Sequence, residues 1–232
     1  MSLSEFWSVF LVFGKIDYLN LLPFHIFMKR YLRFSQQKQS MQYHKGVPSK
    51  INKKFLEKRV DAAFISSINS RKCKKPKVGI VANKQVLSVL LLPSQDFLKD
   101  SESATSNVLA EILDLQGEVI IGDKALLYYL QNDNSNFIDL AQQWYEKYSL
   151  PFVFATFCTN KKSILLQKIQ DDFLLHVKHI KIPQYLLQKA SKRTSIPPQE
   201  ILNYLQFISY RIEKKERLSL KKFLMKAKQK GK

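Results

Sequence analysis

A two-lobed α/β protein with a mostly parallel architecture is what this 232-residue sequence predicts, on three observations. Short β-branched apolar runs alternate with segments of helical periodicity, which argues for strand–helix units. Charge changes sign along the chain: residues 1–90 carry a net +13, residues 91–150 a net −7 and residues 151–232 again +13. Two apolar runs, Val86–Leu92 and Phe152–Phe157, bracket the acidic stretch. The expected layout is a discontinuous basic lobe of residues 1–90 plus 156–232, an inserted acidic lobe of residues 91–155, and two crossover strands between them.

Each element has its local reason. Ser8–Gly14 reads as a buried first strand, because the apolar run Phe6–Phe13 is far short of the ~20 residues a membrane span needs. Pro23–Phe34 places Phe24, Phe27, Met28 and Tyr31 along one helical face. Pro48–Arg59 opens on a proline and turns Ile51, Phe55 and Leu56 inward as a helix. Strands follow at Val60–Ile65, Val78–Val81 and Val86–Leu92. Thr105–Leu113, Ala125–Leu130 and Ile138–Tyr148 read as helices, and Glu118–Ile121 and Phe152–Phe157 as strands. From Ser163 onward the pattern is helical, punctuated by Pro183 and Pro197–Pro198. The last stretch, Arg211–Lys232, is strongly basic yet keeps Leu218, Leu220, Phe223, Leu224 and Met225 as an apolar stripe, so it reads as a docked helix with a frayed end.

Composition excludes several classes. Hydrophobic residues make up 45% of the chain, enough for a real core. Two cysteines, Cys73 and Cys158, are too few for a disulfide framework, a count that suits a reducing cytoplasm. No A-x-A site follows the first apolar run and no basic residue precedes it, so it is a poor export signal and no membrane partner is expected. A net charge of +19 suggests a nucleic-acid partner at first sight. The acidic middle and the basic run Arg71–Lys77, which has no interleaved aromatics, speak against one. A basic surface also steers small dianions. Glycine-rich phosphate loops and the G-x-S-x-G elbow are missing from the sequence. His176 and His179 stand three apart without a third ligand, and His25 and His44 are isolated, so no metal site is expected.

Hydroxyl clusters carry the chemistry. Ser66-Ser67 closes a buried strand, and Ser101–Ser106 (S-E-S-A-T-S) runs into a helix start. Ligands of open α/β sheets sit beyond strand carboxyl ends, and a helix N-terminus with spare N–H groups receives a carboxylate. N-capping alone accounts equally well for the serines. The string Gly14-Lys-Ile-Asp-Tyr-Leu-Asn20 then sets Tyr18 and Asn20 between a strand and a helix.

Taken together these strings resemble the futalosine-pathway chorismate dehydratase family of menaquinone biosynthesis. The resemblance rests on G-K-I-D-Y-L-N-x-x-P-F (Gly14–Phe24), V-P-S (Val47–Ser49), D-A-A-F-I-S-S (Asp61–Ser67) and S-V-L-L (Ser88–Leu91). It continues through the Ser101–Ser106 turn, I-G-D (Ile121–Asp123), Asp139-Leu140 with Trp144, and L-P-F-V-F-A (Leu150–Ala155). The segment Val81–Val86 lacks the glycines the family has there. The resemblance implies a periplasmic-binding-protein-like fold of type II, with a ligand cleft between lobes. It implies loss of water from chorismate without a cofactor. It implies Asn20 as the catalytic group and Tyr18, Ser66, Ser67, Ser88, Ser103, Ala104, Thr105, Ser106, Gly122 and Asp123 as substrate contacts. Asp17, Asp61 and Asp123 are the carboxylates in these strings, and none is an obvious base. A carboxylate of the substrate is therefore the expected proton acceptor. Competing readings are a non-catalytic solute-binding module of the same fold and the sister dihydroxynaphthoate synthase.

Overall fold

Two sheets of unequal size flank one hollow in the computed structural model, which describes residues 11–31, 41–73, 75–132 and 136–231. The larger sheet holds β1 (Leu11–Lys15), β2 (Met41–Lys45), β3 (Ala62–Ser66), β4 (Val78–Ala82), β8 (Phe152–Thr159) and β9 (Ile208–Arg211), in the order β2-β1-β3-β8-β4-β9. The smaller holds β5 (Val89–Pro93), β6 (Gly117–Ile121) and β7 (Ile138–Asp139), in the order β6-β5-β7. Lobe I denotes the first sheet with its helices and lobe II the second.

Only β1, β2 and β3 pair in parallel; β8 is antiparallel to β3 and β4, β9 to β4, and both lobe II pairings are antiparallel. The expectation of a mostly parallel arrangement is corrected here. A strand that leaves for the other lobe and one that returns from it run in opposite senses, so β4 and β8 are antiparallel by necessity. The crossings are also shorter than expected. β5 lies wholly in the small sheet and β8 wholly in the large one, so the chain passes between lobes at residues 83–88 and 149–151.

Helices α1 (Leu22–Tyr31), α2 (Pro48–Leu56), α3 (Ala104–Leu113), α4 (Gly122–Gln131) and α5 (Leu140–Tyr148) fall on the expected segments. The C-terminal third forms α6 (Ile164–His176), α7 (Gln184–Thr194), α8 (Pro198–Leu205) and α9 (Lys214–Gln229). The expected extensions Ser8–Phe10 and Leu32–Phe34 lie outside the described residues. Three strands escaped the sequence reading, among them β7, two residues expected to open the helix Ile138–Tyr148. β2 is a five-residue edge strand, and β9 interrupts the helical tail for only four residues. Runs that short carry too few alternations to show a period of two.

Burial follows much of the patterning, but Leu56, expected inward at the end of its helix, is exposed, as are Leu218 and Met225 of the tail's apolar stripe. Phe24, Phe27, Phe64, Phe157 and Phe173 interlock in lobe I, with Phe24 edge-on to Phe64 and to Phe173 at 5.0 Å in each case. Such aromatic pairs add to plain area burial. Trp144, fully buried on α5, packs against Phe152 and Phe223 and donates Nε1–H to Ser219 Oγ at 3.0 Å. That contact docks α9 on lobe II, and Lys230 adds an ion pair to Asp114 at 2.7 Å. The basic tail thus packs across the hinge, against β8 and α3 together.

The hinge has its own clamp. Leu87 sits at φ 62°, a left-handed conformation strained for a residue with a Cβ. Asp139 holds it there: Oδ2 accepts the N–H groups of Val86 and Leu87 at 2.8 Å each, while Oδ1 caps α5 through Ala141 and Gln142. Cys73 and Cys158 form one disulfide with Cα atoms 5.5 Å apart, pinning the end of the Ser67–Lys72 3-10 turn to β8. A single bridge is short of a framework, but these thiols are paired rather than free.

Candidate active site

Helix starts converge on one hollow between the lobes. The 3-10 turn Leu19–Leu21 brings Asn20 and Leu21 to it, α2 brings Pro48, α3 brings Ser103 and Ser106, and α4 brings Gly122. Strand ends add Ser66 from β3 and Ser88 from the hinge, and Tyr18, Ile80 and Phe154 complete the principal surfaces. The free space in the hollow is about 70 Å³, so the lobes stand close together around it.

Helix geometry leaves the first N–H groups of α3 unpaired and adds a positive dipole end, so this corner suits an anion. Ser103 caps the helix by accepting the Ser106 N–H at 3.2 Å, and its hydroxyl donates to Ser106 Oγ at 2.8 Å. The Ser106 proton is then available to the hollow. Ser66 works the same way, since Asn52 Nδ2 donates to Ser66 Oγ at 2.7 Å and Asn52 Oδ1 accepts the Ser66 N–H at 3.1 Å. Ser88 Oγ lies 2.8 Å from the hydroxyl of Tyr204. Ser66 and Ser106 each use a lone pair on the protein and keep a proton to offer, while Ser103 spends its own proton on Ser106. The wall is one of donors.

Gly122 is required twice over. Its φ of 69° favours glycine, and a Cβ would stand 2.8 Å from the Tyr18 ring. Tyr18 donates to Glu102 across the cleft; burial first, then Glu102, pushes its phenol well above the usual range, so it remains a donor. Asp123 accepts the Leu19 N–H at 2.9 Å and pairs with Arg193 at 2.6 Å. Burial raises its carboxyl against the opposing pull of Leu19 and Arg193. Thr105 Oγ1 accepts the Ile68 N–H at 3.2 Å, a further tie between lobes.

Of the sequence-predicted contacts, Tyr18, Asn20, Ser66, Ser88, Ser103, Ser106 and Gly122 line the hollow. Ser67, Ala104, Thr105 and Asp123 do not. Ser67 is fully buried and donates to Val153 O at 2.6 Å, because the chain leaves β3 at Ser66 and turns at Ser67 into the 3-10 segment packed on β8. Ala104 faces outward into a surface groove beside Asp100 and Asn107. Thr105 and Asp123 are spent on the ties just described. Asp17 pairs with Lys15 at 2.6 Å, and Asp61 takes the Val12 N–H and Lys161 at 2.9 Å each. No carboxylate, imidazole or cation of the described residues lines the hollow.

His25 is structural. Its Nε2–H donates to Ile16 O at 2.8 Å, and burial lowers its pKa from 6.5 to about 4, so the ring is neutral. His176 and His179 join no metal-binding cluster among the described residues.

Sequence reasoning missed the groups behind the wall: Asn52, Glu102, Arg193, Tyr204 and Tyr210. Asn52 left a trace, as a polar residue among the inward positions of α2 between Ile51 and Phe55. The two tyrosines left none. Tyr204 stands behind Ser88, its hydroxyl 2.8 Å from Ser88 Oγ, and Tyr210 donates to the Asn20 carbonyl at 2.6 Å.

Comparison with known proteins matches this geometry to relatives. A protein of Archaeoglobus fulgidus superposes with a TM-score of 0.67 at 12% identity, covering 95% of this chain and 97% of its own. The periplasmic aliphatic sulphonate binding protein SsuA from Escherichia coli does so at 0.58 and 9% identity, over 95% and 87% of the two chains. At these identities the likeness is one of fold, and the fold is periplasmic-binding-protein-like. In sequence, the chain is 48% identical over 217 residues to a chorismate dehydratase of Campylobacter jejuni, covering 92% of this chain and 96% of that protein. A family model described as menaquinone biosynthesis matches residues 11–117 and 111–229, and the chain belongs to that family.

Proposed function

We propose that this protein is a chorismate dehydratase, a hydro-lyase that converts chorismate to 3-(1-carboxyvinyloxy)benzoate and water. The observation that carries the reading is the 48% identity, over nearly the whole chain, to the Campylobacter jejuni enzyme of that name. The cavity supports it. A dicarboxylate entering this hollow meets hydroxyl protons, an amide and a helix N-terminus, all suited to anionic oxygens.

Binding the ring carboxylate at Ser103, Ser106 and the α3 N–H groups draws charge toward it. The C3 proton is acidified through the conjugated alkene, and donors at the carboxylate stabilise the dienolate as it forms. A general base contributes ~10²–10⁴ in rate, and the lining residues supply none. The carboxylate on the enolpyruvyl ether takes the C3 proton instead. Asn20 orients that carboxylate, Ser88 donates to the departing C4 hydroxyl, and the ring becomes aromatic as hydroxide leaves and is protonated to water. The ties at Tyr18–Glu102, Leu19–Asp123–Arg193 and Ile68–Thr105 hold the lobes together around the substrate and exclude bulk water. The lobe limits, residues 1–90 plus 156–232 against 91–155, are proposed on the charge reversal, with the sheet memberships adjusting the crossings to 83–88 and 149–151.

A cytoplasmic location goes with this reading, on the low cysteine count. The Cys73–Cys158 bridge is the observation against it, and counting free thiols after alkylation inside intact cells tests it. No helix of the described residues is long and apolar enough to cross a membrane.

Incubating the purified protein with chorismate and following aromatic absorbance and mass tests the activity. An aromatic product lighter by one water is expected. Unchanged chorismate held at the cleft sinks the reading and leaves an anion-binding module.

A further inference from the structure

We propose that Tyr204, on α8, is a positioning residue that sets the polarity of the cavity wall from behind. It does so by orienting the hydroxyl of Ser88 and the side-chain amide of Asn20 toward the substrate.

Tyr204 is 2% exposed and is not part of the cavity lining, so it acts on substrate only through other groups. Its hydroxyl meets Ser88 Oγ at 2.8 Å, 116 residues distant in sequence, and the Asn20 side chain acts against the rise that burial gives the phenol; both residues line the hollow. A phenol offers one proton, and it accepts hydrogen bonds through its lone pairs. An amide NH₂ donates and cannot accept. The proposed arrangement places the Asn20 Nδ2–H on the Tyr204 oxygen, which sends the Tyr204 proton to Ser88 Oγ. Ser88 has then used a lone pair on the protein, and its own proton is left for an anionic or departing oxygen in the hollow. Asn20, with Nδ2 committed on one side, turns its second N–H and Oδ1 to a defined place. Tyr210 holds the same residue by its carbonyl at 2.6 Å, so Asn20 is held at the backbone and at the side chain.

The arrangement matches the other serines of the site. Asn52 does for Ser66, and Ser103 for Ser106, what Tyr204 does for Ser88. Without the phenol proton, Ser88 is free to rotate and present a lone pair to the cavity, which repels an anion. A misdirected donor of this kind costs rate more than binding, because charge at the departing oxygen grows only as the bond breaks.

This inference rests on the dehydratase reading for its kinetic readout, and a second readout needs no substrate. Tyr204→Phe keeps the ring and removes only the hydroxyl. Its kcat is expected to fall on the order of tenfold, the scale of one hydrogen bond, with KM changed less than about threefold and the melting temperature nearly kept. Ser88→Ala is expected to lower kcat as well, and adding Tyr204→Phe to it to lower kcat by less than in the wild-type background, since the share that acts through Ser88 is already gone. A kcat unchanged in Tyr204→Phe, or an equal fall in both backgrounds, overturns the proposal. In ¹⁵N-labelled protein, one side-chain amide pair that disappears in Asn20→Asp is expected to exchange slowly with solvent, and faster in Tyr204→Phe. Equal exchange in the two proteins overturns the proposal whether or not chorismate is the substrate. Wild-type protein inert toward chorismate overturns only the dehydratase reading, and the exchange arm still decides for Tyr204.

Discussion

The two walls of the cleft are built by opposite means. Lobe II presents a self-contained patch: Ser103 and Ser106 lie three residues apart, cap their own helix and orient each other. Lobe I presents Asn20, Ser66 and Ser88, and each is held by a residue far off in sequence or on another element. Asn20 depends on Tyr210, 190 residues away, and Ser66 on Asn52 of the neighbouring helix. The difference teaches that the lobe II wall is set by helix capping, while the Asn20 and Ser88 part of the lobe I wall is set only when the C-terminal third is folded against it. Perturbing lobe I supports is therefore expected to damage chemistry, whereas perturbing lobe II is expected to damage binding and local stability.

The largest expected effect comes from Asn20→Ala, which removes the amide at the centre of the lobe I wall. Loss of one preorganised donor typically costs ~10²–10³ in kcat. Steady-state kinetics on chorismate check it, with circular dichroism confirming the fold. Activity near wild type breaks the assignment of chemistry to this wall.

Next in size is the acid response of lobe I. His25 is neutral in the folded protein with a pKa of about 4, against 6.5 for an ordinary histidine. The unfolded chain therefore binds the extra proton first as pH falls. Stability is full above pH 6.5 and declines as pH drops toward 4, by roughly 3 kcal/mol in total. His25→Gln keeps a donor for the Ile16 carbonyl and is expected to flatten this decline. Urea midpoints at about pH 7.5 and about pH 4.5 measure it, and identical slopes in the two proteins rule out His25 as the source.

The smallest effect belongs to lobe II. Ser103→Ala deletes the cap of α3 at a cost of about 1 kcal/mol, a fall of roughly 2–4 °C in melting temperature. KM for chorismate is expected to rise more than kcat falls, because the carboxylate at this helix start is already charged in the ground state and the dienolate only adds to that charge. A pure kcat effect contradicts the contrast between the walls.

The same contrast explains what was readable. The S-A-T-S string marked a helix start because capping is local chemistry. It did not say which hydroxyl faces the ligand, since that depends on helical phase against the other lobe. Thr105, one residue from Ser106, turns to Ile68 instead. Ser66 and Ser67 were indistinguishable as a pair, and the turn out of β3 between them separated them. Asp123 read as a ligand contact and proved to be a tie between Leu19 and Arg193, because Arg193 lies on a helix with no motif of its own.

By itself the sequence determined the alternation of strands and helices, the acidic insertion between basic halves, the helix starts and the serine-rich strings that stand around the cleft. These rest on periodicity, capping and composition, which act over a few residues at a time. Only the tertiary structure decided strand direction, the place of β9, the hinge clamp at Asp139 and the tyrosines behind Asn20 and Ser88. Those features join residues a hundred or more positions apart or depend on how two lobes meet, and the energy that selects them is packing and hydrogen bonding that no local pattern encodes.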